Sequence, residues 1–251
     1  MAGGFPPAGG SASVLRVPRT STVDLIAIEL RKAIFSGALA VGRPIGEVEM
    51  AAQLGVSRGP LREATQRLVQ EGLLTATPGR GIRVSVIGPE HVADVYTARL
   101  AVESQAIRQI VSAADPSALP ALTASYRELV AVSEGTEART IGDADLAFHQ
   151  VLVDAAGSRR LSHYMATLII ETRIASLSDP QGYTVRRSVS PTYQELLDAL
   201  AAGDADAAVA ALSRQFDEAI ARLTGEDDQV ETIETPDDEE PPPLERIDVV
   251  E

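Results

Sequence analysis

The chain has no cysteine, which excludes disulfides, thiolate metal sites and cysteine nucleophiles together. It has one lysine, Lys32, so its positive charge is almost wholly arginine. Histidine is confined to His91, His149 and His163, and none of them stands in a HExxH setting. No Gly-rich nucleotide loop follows a strand pattern. No apolar run approaches the roughly 20 residues that a membrane-spanning helix needs. The opening residues, MAGGFPPAGGSASV, lack a basic start followed by an apolar core, so no secretory signal and a cytoplasmic location are expected. What remains is a 251-residue chain with room for one large domain or two smaller ones.

The net charge of −14 argues at first against DNA, because phosphate contact needs positive charge. Its distribution reverses the argument. Residues 14–88 carry ten basic and six acidic side chains, a balance of +4. Residues 89–225 carry eleven against eighteen, or −7, and residues 226–251 one against twelve, or −11. One segment is basic within an acidic protein.

That basic segment holds the most informative pattern. Behind a Gly-, Ala- and Pro-rich arm over 1–20, expected to be disordered, Ser21 or Thr22 caps a helix. Arg16 and Arg19 of the arm could touch a DNA backbone or simply stay solvated. The helix has an apolar stripe of Val23, Ile26, Ala27, Leu30 and Ile34. It stops near Ser36-Gly37, and residues 38–45 lead to a second helix at about Glu47–Leu54. Gly55 breaks that helix, and a third restarts behind Ser57, from about Arg58 to Glu71. At 100° per residue, Leu61, Ala64 and Leu68 share one side, while Arg58, Arg62 and Gln66 form a separate stripe. A recognition helix needs this division, since arginine can donate two bonds to guanine O6 and N7. Ser57 at the helix start suits a phosphate. Strands over Leu73–Thr77 and Ile82–Val86 flank the turn Pro78-Gly79-Arg80-Gly81, with Ile82, Val84 and Val86 on the buried side. Gly79 permits close approach to a groove, and Arg80 sits at the tip. The plainer alternative is a solvated arginine face and a turn that only reverses the chain. Helix, turn, helix and hairpin together predict a winged helix-turn-helix of three helices and a β-hairpin wing.

The run QLGVSRGPLREA from Gln53 to Ala64, with Leu68, EGLL from Glu71 to Leu74 and the Gly79-Arg80-Gly81 turn, resembles the signature of GntR-family bacterial transcription regulators. The family pattern usually has Thr at the place of Gly59 and Leu at that of Thr65. The resemblance implies base contacts from Arg58 and Arg62, and a minor-groove contact around Gly79.

Beyond Gly88-Pro89 no clear strand pattern appears before residue 224. Helices are expected at 90–113, 117–134, 142–155, 159–177, 190–201 and 204–223, an all-α bundle in a mainly α protein. The expected divisions are thus 1–20, 21–87, 88–224 and an acidic, disordered tail over 225–251. YTAR from Tyr96 to Arg99 with Glu103, DLAFH from Asp145 to His149, Ala155-Ala156-Gly157, LLDAL from Leu196 to Leu200 and Gly203-Asp204 resemble the FadR-like, or FCD, branch of the family. The resemblance implies a homodimer whose bundle binds a small organic acid or similar effector, commonly beside a divalent metal.

Asp145 and His149, four residues apart, share a helical face and could hold a cation. The resemblance implies two further histidine ligands, and this chain has Tyr193 and Gln215 in their places. Phenol and amide are weak ligands at neutral pH. A degenerate site is therefore expected, with no metal or other cofactor required. The alternative for Asp145 and His149 is a hydrogen-bonded pair. Effector candidates are Arg99, Asp145, His149, Tyr193 and Gln215, with Arg173 a further one. Arg99 could grip a carboxylate or simply pair with Glu103. The reading is a DNA-binding, ligand-switched transcription regulator, a repressor by resemblance, that needs no membrane. Its alternatives are a bundle that only dimerises or docks proteins, and a metal-dependent enzyme using Asp145 and His149. The tail either solvates the protein or competes with DNA for the basic face.

Overall fold

The structure, a computed structural model, describes residues 21–114, 117–178, 184–186, 191–226, 232–234 and 244–247. The arm over 1–20 lies outside the described residues. Helix α1, Thr22–Phe35, opens in a capping box: Ser21 Oγ accepts from Asp24 N at 3.1 Å and Asp24 Oδ2 accepts from Ser21 N at 3.1 Å. Four residues of its expected stripe, Ile26, Ala27, Leu30 and Ile34, are each 1% exposed or less, and the fifth, Val23, is half-buried at the core's edge.

Helix α2, Glu47–Leu54, ends because Gly55 turns left-handed at φ 71°. Helix α3 follows at Arg58–Gln70 and packs on α1. The segment expected to be a plain connector contributes a strand, β1, at Pro44–Ile45. With β2, Leu74–Thr77, and β3, Gly81–Val84, it forms an antiparallel sheet in the order β1-β3-β2, pairing Leu74 with Val84 and Ile45 with Ile82. The expected alternation stops at Val84. Ser85 is buried, bonding Leu73 O through its N–H at 3.0 Å and Thr75 Oγ1 through its hydroxyl at 2.9 Å, while Val86 is 56% exposed. Two hydrogen bonds turn the polar residue inward once the strand ends.

Six helices follow among the described residues: α4 Pro89–Ala113, α5 Ala118–Ser133, α6 Ala138–Ala155, α7 Arg159–Leu177, α8 Pro191–Ala202 and α9 Ala205–Leu223. Five start and stop within about a residue of expectation. Helix α6 starts four residues early, because Ala138 and Ile141 are buried in the bundle core and packing overrides Gly142. Two short strands were not foreseen: β4, Thr184–Arg186, pairs antiparallel with β5, Thr232–Glu234, and lies against α6. The tail, expected to be disordered throughout, thus contributes a strand and a placed segment at residues 244–247. Apolar residues scattered among its acids carry the difference: Leu244 and Ile247 pack against the core around α1–α3.

That core and the bundle core meet through α6 and α7. Ile174 is fully buried in the α1–α3 core, and Ile170 packs at its edge. Arg173 stacks over the Phe35 ring at 4.3 Å and pairs with Asp143 at 2.6 Å. Arg139 donates to Ser36 O, and Ser178 Oγ accepts from Ile87 N at 3.2 Å. The C-terminal end of α1 is therefore gripped by two helices of the bundle.

Candidate nucleic-acid interface and effector site

The arithmetic for α3 holds in three dimensions. Leu61, Ala64 and Leu68 are 0% exposed, while Arg58, Arg62 and Gln66 lie on the surface. Ser57 occupies the N-cap with an extended backbone, but its side chain makes no capping bond. Its hydroxyl is thus available where the helix dipole favours an anion.

Glu47, at the first position of α2, organises this face. Arg62 Nε lies 2.8 Å from both its carboxylate oxygens, Arg62 Nη2 lies 2.8 Å from Oε2, and Arg58 Nη2 lies 3.9 Å from Oε2. The bond from Arg62 holds the Glu47 carboxyl below the usual carboxylate range. One half-buried carboxylate thus fills the Arg62 fork and lies beside that of Arg58. Sequence reading missed Glu47; the signal was an acid opening the helix that packs beside the arginine stripe.

At the wing, Gly79 and Gly81 have φ of +74° and +78°, with nothing within 4 Å of where a side chain would begin. The backbone conformation, not crowding, demands glycine there. Arg80 is exposed, its N–H bonded to Thr77 O at 3.0 Å.

The second cluster lies inside the bundle. Arg99, 1% exposed, donates from Nε to Glu103 Oε1 at 3.0 Å and reaches Thr172 Oγ1 from Nη1 at 3.5 Å. Tyr96 and Phe216 flank its guanidinium, at 5.1 and 4.6 Å from their ring centres. Glu103 Oε2 bonds His149 Nδ1 at 2.6 Å. Tyr193 donates its hydroxyl to Asp145 and lies 3.4 Å from His149 Nε2. Burial, then the Asp145 charge, pushes the Tyr193 phenol well above its usual range, so it stays protonated. Gln215, from α9, is 6% exposed.

The structure thus brings Arg99, His149, Tyr193 and Asp145 into one bonded chain, with Glu103 linking Arg99 to His149. Glu103 was foreseen only as the partner of Arg99, and Thr172 and Phe216 were not foreseen at all. The expected Asp145–His149 hydrogen bond is not formed; Asp145 Oδ1 and His149 Nε2 are 4.0 Å apart, because each finds a nearer partner on another helix. Arg173 does not join the cluster: its side chain turns to Asp143 and Phe35 at the α1 joint.

Three buried atoms here lack a hydrogen-bond partner among the described residues: Arg99 Nη2, Gln215 Nε2 and Gln215 Oε1. Each such atom costs about 1–3 kcal/mol while unpaired. A guanidinium N–H, an amide N–H and an amide oxygen suit a ligand bearing a carboxylate and a hydroxyl. The donor set does not fit a transition-metal ion. It offers one imidazole and two carboxylates, but Glu103 is engaged by Arg99 and by His149 Nδ1 and Asp145 by a protonated phenol, and so few uncommitted ligands rarely hold such an ion against water. Among the described residues, no group of three His, Asp or Glu side chains is placed to share a metal. A cleft of about 370 Å³ between α5 and α8 is lined by Leu119, Tyr126, Arg127 and Gln194, and Tyr126 stacks on Tyr193 at 6.3 Å.

Residues 22–84 match the model described as bacterial regulatory proteins, gntR family, and residues 94–218 match the FCD domain. An uncharacterized HTH-type transcriptional regulator, YdhC of Bacillus subtilis, is 31% identical over 173 residues, 67% of this chain and 77% of the relative. A probable D-xylose utilization operon transcriptional repressor of Paenarthrobacter nicotinovorans is 29% identical over 202 residues, 80% of this chain and 88% of the relative. The crystal structure of a GntR regulator from Rhodococcus sp. RHA1 is 28% identical, with a TM-score of 0.62 over 81% of this chain and 97% of its own. GntR regulators bind DNA, FCD domains bind small-molecule effectors, and neither the family nor these relatives are enzymes, which removes the metal-dependent-enzyme alternative. The chain belongs to the GntR family of bacterial transcription regulators and carries an FCD domain behind its winged helix-turn-helix.

Proposed function

We propose that this regulator is a repressor that reads a short inverted repeat as a homodimer and is switched by a small carboxylate, without a metal. The unpartnered Arg99 Nη2 and Gln215 amide, each buried within the bundle on helices that pack together, carry this reading. The carboxylate takes Arg99 Nη2, a hydroxyl or carbonyl of the ligand meets Gln215, and Tyr193, His149 and Asp145 line the remainder. Residues 88–224 form the sensing unit and residues 21–87 the DNA reader. Arg58, Arg62 and Gln66 face the major groove, Ser57 a phosphate, and Gly79 with Arg80 the minor groove. The relative from Paenarthrobacter, by its name a repressor, supports the direction of control.

The test is DNA selection from genomic fragments by the purified protein, with and without a panel of small carboxylates. Inverted repeats should be enriched, and one class of acid should shift their affinity. A panel that neither shifts affinity nor raises the melting temperature would leave the bundle a dimerisation module and sink the switch.

The joint at α1 transmits the switch in this reading. Arg139→Ala/Arg173→Ala is expected to leave operator binding without effector near wild type. It should remove most of the effector's influence, a coupling of about 1–3 kcal/mol. Operator titrations at zero and saturating effector measure the difference; an undiminished response would place the coupling elsewhere.

A further inference from the structure

The last 26 residues contain one basic side chain, Arg246, and it lies in the segment that docks. Ile247 N donates to Leu54 O at 3.0 Å, and Glu245 N donates to Glu29 Oε1 at 3.0 Å. Leu244 and Ile247 pack against the α1–α3 core. Arg246 Nε lies 3.6 Å from where a side chain on Gly55 would begin, beside the carbonyl end of α2. Each contact answers a need of the reading unit. Leu54 O is a helix-end carbonyl without an intrahelical partner, and a cation suits that end of the dipole. Glu29, 9% exposed, is a carboxylate held in a core, and its ion pair with Lys32 is long, at 3.6 Å. Apolar, backbone and charged contacts coincide at four consecutive residues.

The docking point matters because of what adjoins it. Gly55 lies two residues before Ser57 and three before Arg58, where the reading helix begins. The acidic run Asp237-Asp238-Glu239-Glu240 precedes Leu244 by four to seven residues, a tether of at most about 24 Å. We propose that the groove between α1 and the end of α2 is a peptide-docking site whose occupant is the chain's own residues 244–247, and that this latch, by chain length alone, tethers the acidic run within reach of the DNA-reading helix. Latched, the tail's carboxylates compete with phosphates for Arg58, Arg62 and their neighbours. Non-operator DNA, bound by charge alone, suffers most from such competition. Operator DNA retains its base contacts and is disfavoured less in relative terms.

Two full-length variants separate the latch from the charge. Leu244→Asp/Ile247→Asp removes the docking contacts and leaves the acidic run intact. Asp237→Asn/Asp238→Asn/Glu239→Gln/Glu240→Gln keeps the docking residues and removes four charges. Anisotropy titrations against a labelled non-operator duplex are expected to show both binding about tenfold tighter at low salt, the gap closing as salt screens the tail. Hydrogen exchange should show the Ile247 amide protected in the free protein and released on adding DNA. Unchanged affinity in both variants overturns the proposal. So does tighter binding by the discharged variant alone, which would mean the acidity acts without a latch. An Ile247 amide that exchanges at the free-peptide rate also overturns it.

Discussion

Arg99→Ala is expected to lower the stability of the bundle by about 3–5 kcal/mol, the usual loss when one partner of a buried ion pair is removed. The guanidinium is 1% exposed, and its partner Glu103 is fully buried. Without Arg99, Glu103 keeps only the bond to His149 and becomes a carboxylate in a dry core. The stacking on Tyr96 and Phe216 is lost as well. Arg99→Met/Glu103→Leu removes both charges at similar volume and should cost much less than the two single alanine changes combined, a non-additivity of about 0.5–3 kcal/mol. Denaturant titrations of the single and double variants check both statements. A single-variant loss under about 1 kcal/mol would show that Glu103 is not committed to Arg99.

Arg62→Ala is expected to remove about 1–3 kcal/mol of preference for operator over scrambled DNA, roughly 5- to 150-fold, and to relax selection at the base it meets. In the free protein the Arg62 fork is filled by Glu47, so its orientation is set before DNA arrives. Arg62→Lys retains the charge without the fork and should recover phosphate affinity but little of the preference. Glu47→Ala should act differently: it frees both arginines, tightens binding to any duplex and blurs discrimination. Competition titrations with operator and scrambled duplexes separate the three. Full discrimination by Arg62→Ala would displace the reading face from α3.

Local periodicity made most of the fold legible. The stripes of α1 and α3 follow from rotation per residue alone, and the caps at Ser21, Gly55 and Asp204 mark where helices begin and end. Contacts distant in sequence were not legible. Asp145 and His149 share a face, as spacing requires, yet each bonds a residue more than 40 positions away. Spacing says what can meet, while packing decides what does. Glu47 is fifteen residues from Arg62 and needed the angle between two helices to be noticed. The tail misled because its composition averages over a few apolar residues that dock. Arg173 was displaced from the pocket by a ring and a carboxylate that only the meeting of two cores supplies.

Helix α1 is clasped at its C-terminal end by Arg139 and Arg173 and bears on α3 along its side. It is therefore a lever with its fulcrum in the sensing unit. Fourteen residues give it a length of about 21 Å, so a tilt of about 5° at the clasp swings the far end by about 2 Å. In a two-fold assembly both levers swing together, and the two reading heads part or close by about twice that distance. A rise of about 3.4 Å per base pair makes that comparable to one step of the duplex. In the proposed homodimer, ligand-driven changes too small to unfold anything would thus take the pair of heads out of step with the spacing of the proposed half-sites.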